Sequence, residues 1–210
     1  PILTAALMAD YPGNDINLSY AVGRSAGVLD DLNKLGVPGV KSAYCHPAAA
    51  GGYAMTVVSV DQQYAGHVSQ VASIAAQSPA AGYYSKLIIV VDEDVDPTDM
   101  DQVLWAIGTR FAPERDIDVL TDTWSTYLDP SRFPNEERPY GAKMLLDATI
   151  PHRHYEEFPD RSAVAEPVYE RVRDRWQELG FEGEPPELPL LLSEQNHDNA
   201  PTADGPIGGM

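Results

Sequence analysis

Residues 86–100, Lys86-Leu87-Ile88-Ile89-Val90-Val91-Asp92-Glu93-Asp94-Val95-Asp96-Pro97-Thr98-Asp99-Met100, decide the fold. Leu87 to Val91 is an aliphatic run with no polar alternation, the pattern of a strand covered on both faces in a parallel or mixed sheet. Five acids follow directly, so the stretch reads either as a metal or acid/base site or as a strand end that opens a helix. Asp92, Asp94 and Asp96 match the first, third and fifth places of a calcium loop. That loop needs Gly at its sixth place and Glu at its twelfth, and the chain supplies Pro97 and Val103. A two-carboxylate magnesium site stays open, because α/β ligands gather at the carboxyl ends of strands. Capping accounts for more of the residues: Asp96 or Thr98 as N-cap, Pro97 near the first turn, and Asp99 and Asp101 against the helix dipole.

Outward from this run the periodicity predicts helices over Asn17 to Leu35, His67 to Gln77 and Asp99 to Phe111, and strands over 40–47, Tyr53 to Asp61, Lys86 to Val91 and 116–123. Gly36 stops the first helix, Gly51-Gly52 joins the first two strands, and "AKMLLDATI" (142–150) reads as a last short strand or packed extension. The expected fold is α/β: a mixed-sheet layered sandwich with helices on the faces, plus a C-terminal helix over Ala163 to Leu179, closed by Gly180, and a flexible tail. The expected division is 1–150 for the α/β domain, 151–182 for a linker and the helix, and 183–210 for a mobile Pro/Gly-rich tail.

The 210 residues carry 14 Lys+Arg against 32 Asp+Glu, a net charge of −18, which repels nucleic acid and anionic membranes alike. One cysteine, Cys45, excludes an internal disulfide and fits a reducing, cytoplasmic setting. No apolar stretch reaches membrane-span length. The chain opens at Pro1 without Met and reads as a piece of a longer polypeptide. Neither the spaced pair His152 and His154 nor the isolated His46, His67 and His197 forms a ligand set. Among the few cations are Arg110, Arg115, Lys143 and Arg153, and Arg110, ending its helix, is placed to pair with the acids of the opening run. No dinucleotide, triphosphate-loop or nucleophile-elbow motif occurs, and no metal site is assigned.

Three ordered segments, "KLIIVVDEDVDPTDMDQVLWAIGTRFAPERD" (86–116), "YLDPS" (127–131) and "GAKMLLDAT" (141–149), with "QQYAGHVSQV" (62–71) and "PILT" (1–4) before them, resemble the C-terminal half of the UbiD-like decarboxylases. The resemblance runs from Pro1 to Thr149. It implies a lyase that reversibly and non-oxidatively decarboxylates aromatic or α,β-unsaturated carboxylic acids with prenylated FMN, a divalent metal and potassium. It also implies a cytoplasmic homodimer or higher homo-oligomer. The catalytic set and metal ligands belong to the N-terminal flavin-binding domain, which lies outside this chain, so no catalytic residue is assigned and the chain alone is expected to be inactive. No cofactor is expected on this fragment alone, and its cofactor-binding residues remain unknown: where family members present a basic residue before the aliphatic strand, this chain has Ser78-Pro79-Ala80-Ala81-Gly82.

What the resemblance assigns to this half is a substrate-pocket wall: Leu18, Ala21, Tyr84, Thr126 and Leu128. Small Ala21 and Thr126 are expected to leave room for a bulky acid. The alternative is a non-catalytic assembly or regulatory α/β module, and a third reading is a small metal enzyme built on the opening acids.

Overall fold

The computed structural model describes residues 15–126, 129, 131, 140–159, 164 and 166–186. The chain forms two compact units that meet in sequence at Phe158 and Pro159. In the first, α1 (Asp15–Lys34) is followed by β1 (Val40–Cys45), β2 (Met55–Val60), α2 (His67–Gln77), β3 (Leu87–Asp92), α3 (Met100–Arg110), β4 (Ile117–Trp124), β5 (Tyr140–Ala148) and a 3-10 segment (His152–Glu157). The expected α/β sandwich with a mixed sheet is what forms.

The sheet order is β1-β2-β3-β5-β4. β2, β3 and β5 run parallel, and β1 and β4 close the two edges antiparallel. β3 therefore lies at the centre, and its unbroken aliphatic run follows from that position. Ile88 and Val90 face Val28 and Leu32 of α1 and Val68 and Val71 of α2. Ile89 and Val91 face Val103 and Ala106 of α3. A strand with helices on both sides has no polar face to offer. The "AKMLLDATI" segment is no mere extension: as β5 it pairs with β3 on one side and β4 on the other.

Gly36, at φ +72°, ends α1 as expected, with Gly36 N–H donating to Asn33 O and Val37 N–H to Leu32 O. The cap of α3 is neither Asp96 nor Thr98 but Asp99, whose carboxylate accepts from the N–H groups of Asp101 and Gln102. Asp96 instead holds the preceding turn, accepting from Thr98 N–H and Oγ1, both at 2.8 Å. Pro97 therefore stands two residues before the cap, and the helix starts three residues later than an Asp96 cap and one later than a Thr98 cap would place it.

β4 is a weakly covered edge. Val119 is 57% and Trp124 58% exposed, and the register with β5 breaks between Leu120 and Thr123, where Asp122 takes φ +55°. In the second unit, α4 spans Glu166–Arg173, shorter than the Ala163 to Leu179 expected. Turns carry the chain on to Gly180 (φ +80°), and the Trp176 ring stacks on Phe181 at 4.4 Å. The tail expected over 183–210 lies outside the described residues beyond Pro186. No helix among the described residues is long and apolar enough to cross a membrane.

Candidate functional site

The two ends of the parallel strands are put to different uses. At the carboxyl end, where α/β ligands usually gather, Asp92 leaves β3 into a closed network. Its Oδ2 accepts from Arg110 Nη1 at 2.8 Å and from Ile150 N–H at 2.6 Å, and its Oδ1 accepts from Gln62 Nε2 at 2.8 Å. The Arg110 guanidinium also bridges both oxygens of Asp94, at 2.8 and 2.6 Å, and lies over the Trp105 ring. The pairing of Arg110 with the opening acids is thus realised in the interior. Burial pushes the Asp92 carboxyl up to about 6 against these donors. Among the described residues no group of three His, Cys, Asp or Glu is placed to hold a metal ion. The acids lock strand to helix.

The amino end is built differently. The turn from α2 into β3 presents Tyr83, Tyr84, Ser85 and Lys86, and around it lie aromatic rings from three other places in the chain. Tyr53, from the β1–β2 connection, meets Tyr20 of α1 at 5.9 Å, Tyr83 at 6.2 Å and Tyr84 at 6.5 Å between ring centres. Tyr83 meets Trp124 edge-on at 5.2 Å. Such tilted and T-shaped pairs follow from the quadrupoles of the rings. Arg24 of α1 lies over the Tyr53 ring at 4.6 Å, and Lys86 reaches to 5.4 Å of the Tyr84 ring centre.

This aromatic wall borders an open cleft of about 500 Å³ lined by Tyr84, Lys86, Trp124, Ser125, Asp129 and Lys143, among others. Lys86 Nζ donates to Asp129 at 2.8 Å and to Ser131 Oγ at 2.8 Å. Burial pushes the Asp129 carboxyl up, but the Lys86 and Ser131 bonds outweigh it and hold it below the usual range. Burial, with Asp129 nearby, pushes the Tyr84 hydroxyl up to about 12, so it stays a neutral donor or acceptor at any physiological pH.

The assigned wall residues are placed unevenly. Tyr84 is buried in the turn at φ +67°, a conformation uncommon for a residue with a Cβ. Thr126 is buried beside it, accepting the Tyr83 hydroxyl at 2.6 Å. Leu18 is half exposed on α1, one turn before Ala21. Ala21 is fully buried: a Cβ added to Gly52 would fall 2.7 Å from the Ala21 Cβ, so the small size of Ala21 admits the Gly52 backbone. Leu128 lies outside the described residues. Tyr84 and Thr126 thus share the cleft-side turn through Tyr83, and Ala21 joins it only through Gly52 and Tyr53. Sequence reasoning missed Tyr20, Arg24, Tyr53, Tyr83, Lys86, Trp124 and Asp129. The Tyr83-Tyr84 doublet opening an aliphatic strand was the available signal.

The model of the 3-octaprenyl-4-hydroxybenzoate carboxy-lyase C-terminal domain, UbiD_C, matches residues 19–148. The chain belongs to this family. Solved structures similar to this UbiD C-terminal domain include 3,4-dihydroxybenzoic acid decarboxylase of Enterobacter cloacae, with 26% identity and a TM-score of 0.64 over 75% of this chain and 33% of that one. Vanillic acid decarboxylase of Sedimentibacter hydroxybenzoicus, in open form, is 29% identical, with a TM-score of 0.63 over 80% of this chain and 35% of that one. The UbiD-class enzyme HmfF of Pelotomaculum thermopropionicum, in complex with FMN, is 26% identical, with a TM-score of 0.59 over 68% of this chain and 30% of that one. The chain therefore spans about a third of the length of these enzymes. The UbiD C-terminal match takes in the whole sheet and all of α1 but its first turn, and with them the Tyr83–Lys86 turn.

Proposed function

We propose that this chain is the C-terminal domain of a reversible, non-oxidative decarboxylase that acts on an aromatic or α,β-unsaturated carboxylic acid with prenylated FMN, and that its part is to form one wall of the substrate pocket. The observation that carries this reading is an aromatic cluster of Tyr53, Tyr83, Tyr84 and Trp124, of which Tyr84 and Trp124 line an open cleft. Its setting is a domain whose structural relatives include decarboxylases of ring-hydroxylated benzoic acids. Edge-on aromatic surfaces with a few polar marks suit a flat, substituted ring. Thr126, Tyr84 and the Lys86–Asp129 pair are the polar marks; Leu18 and Leu128 complete the assigned wall, and Ala21 backs it.

On this reading no contact to the cofactor's phosphate or metal is assigned to the described residues. Arg24, Lys86 and Lys143 all donate to protein acceptors already, and no metal-ligand group is present among the described residues. On this reading proton transfer and flavin chemistry fall to the N-terminal domain, and this chain alone is inactive. The enzyme is taken as a cytoplasmic homo-oligomer, and the exposed Val119 and Leu104 support burial of this domain against another body.

Expression of the complete polypeptide with a source of prenylated flavin, followed by measurement of carbon dioxide release from hydroxylated and unsubstituted aryl acids and from cinnamic-type acids, tests the reading. Release with at least one class is expected. A complete polypeptide without a flavin-binding portion, or one inert to every class, would overturn it in favour of an assembly module.

A further inference from the structure

Lys143 is 1% exposed and has no carboxylate among its hydrogen-bond partners. It rises from β5 beneath the Tyr83–Lys86 turn. Its ammonium donates to Gly82 O at 2.6 Å and to Ser85 O at 3.0 Å, the two carbonyls that bracket Tyr83 and Tyr84. Arg24 takes the acceptors between them, with Nη2 at 3.3 Å from both Tyr83 O and Ser85 Oγ. Two cations from different elements thus hold one four-residue turn, although burying an ammonium is unfavourable and carbonyl dipoles compensate it only in part. A turn that merely joined α2 to β3 would not require this. What these bonds fix is the path at Tyr84, with its positive φ, and the direction of the Tyr83 ring between Tyr53 and Trp124.

We propose that Lys143 is the positioning residue of the aromatic wall, acting through the carbonyls of Gly82 and Ser85 to set the rings of Tyr83 and Tyr84 against the substrate. The substrate role of those rings rests on the decarboxylase reading; the clamp itself does not. Lys143 touches no reacting atom, so its loss acts on how the acid is seated.

The test uses this chain with Trp105 and Trp176 replaced by Phe, so that Trp124, in contact with Tyr83, is the sole reporter. Lys143→Met shifts the Trp124 emission maximum and lowers tyrosine-to-tryptophan energy transfer, and Lys143→Arg, which keeps the charge, restores most of both. A Lys143→Met spectrum identical to the parent's overturns the proposal. Where the Met variant does not fold, the parent is titrated. The charged and titratable groups facing this turn among the described residues are Arg24 and Tyr20 from α1, Tyr53, Tyr83, Tyr84, Lys86 and Asp129. A Trp124 transition centred near pH 8, where burial and then Arg24 place the Lys143 ammonium, supports the clamp, and a flat response overturns it. In the complete enzyme Lys143→Met raises KM for ring-substituted acids about tenfold and leaves kcat within about threefold. An enzyme that releases carbon dioxide from no acid counts against the functional reading alone, and the fluorescence still decides the clamp.

Discussion

The guanidinium of Arg110, the last residue of α3, lies 2.8 Å from the carboxylate of Asp92, the last residue of β3, and the two side chains are 3% and 5% exposed. This contact joins the ends of two consecutive elements inside the protein, and Asp94 completes it with a two-pronged bond. Arg110→Met leaves two carboxylates buried without their cation, and a loss of roughly 3–5 kcal/mol is expected from urea unfolding. The neutral combination of Arg110→Met with Asp92→Asn and Asp94→Asn recovers at least half of it. A single-variant loss below about 1 kcal/mol would show the network to be energetically idle.

Lys143 gives the stability a pH dependence with a definite sign. Its ammonium is lowered from 10.5 to about 8, by burial first and by Arg24 second. Between those values the unfolded chain holds a proton that the folded chain has released, so stability rises with pH across that window, by at most about 1.4 kcal/mol per unit. Below about pH 8 both states are protonated and the burial penalty is present in full. Wild type minus Lys143→Met, from urea unfolding at a series of pH values, isolates this slope; a difference that does not vary with pH contradicts it.

Asp99→Ala should lower the stability of α3 by about 1 kcal/mol, the usual worth of an N-cap carboxylate. Asp96→Ala removes only the bonds to Thr98 and is expected to cost less. Thermal melts of the two variants side by side check the order, and equal losses would return the cap to the turn.

Gly52→Ala places a methyl 2.7 Å from the Ala21 Cβ and 2.8 Å from its Cα, at a residue with φ +83°. Both the clash and the backbone conformation oppose it, so a loss of about 2 kcal/mol or more is expected. Gly66→Ala, at a similar φ but with open space around the added carbon, separates the two causes: it carries the backbone strain alone.

The sheet and its helices were legible because each rests on a local period: five unbroken aliphatics for β3, the i, i+3, i+4 repeat for α1, and a glycine stop at Gly36. The role of Arg110 was legible too, since a cation ending a helix behind a row of acids has one natural partner. The aromatic wall was not. Tyr20, Tyr53, Tyr83 and Trp124 come from four separate segments, and only the order β1-β2-β3-β5-β4 brings them to one end of the sheet. Ala21 illustrates the converse: its small side chain has the look of space left for a ligand, until the approach of Gly52 accounts for it.

β4 has β5 as its hydrogen-bonded neighbour, and among the described residues no strand pairs with its other side. An open strand edge is a template on which copies of a chain can zip together. Here the ladder breaks between Leu120 and Thr123, and Asp118 and Asp122 place carboxylates along the same eight residues. A second β4 laid alongside would meet a kinked backbone and like charge. The edge therefore discourages fibrous growth while leaving Val119 and Trp124 uncovered, so that whatever docks there must recognise side chains and cannot rely on backbone pairing alone.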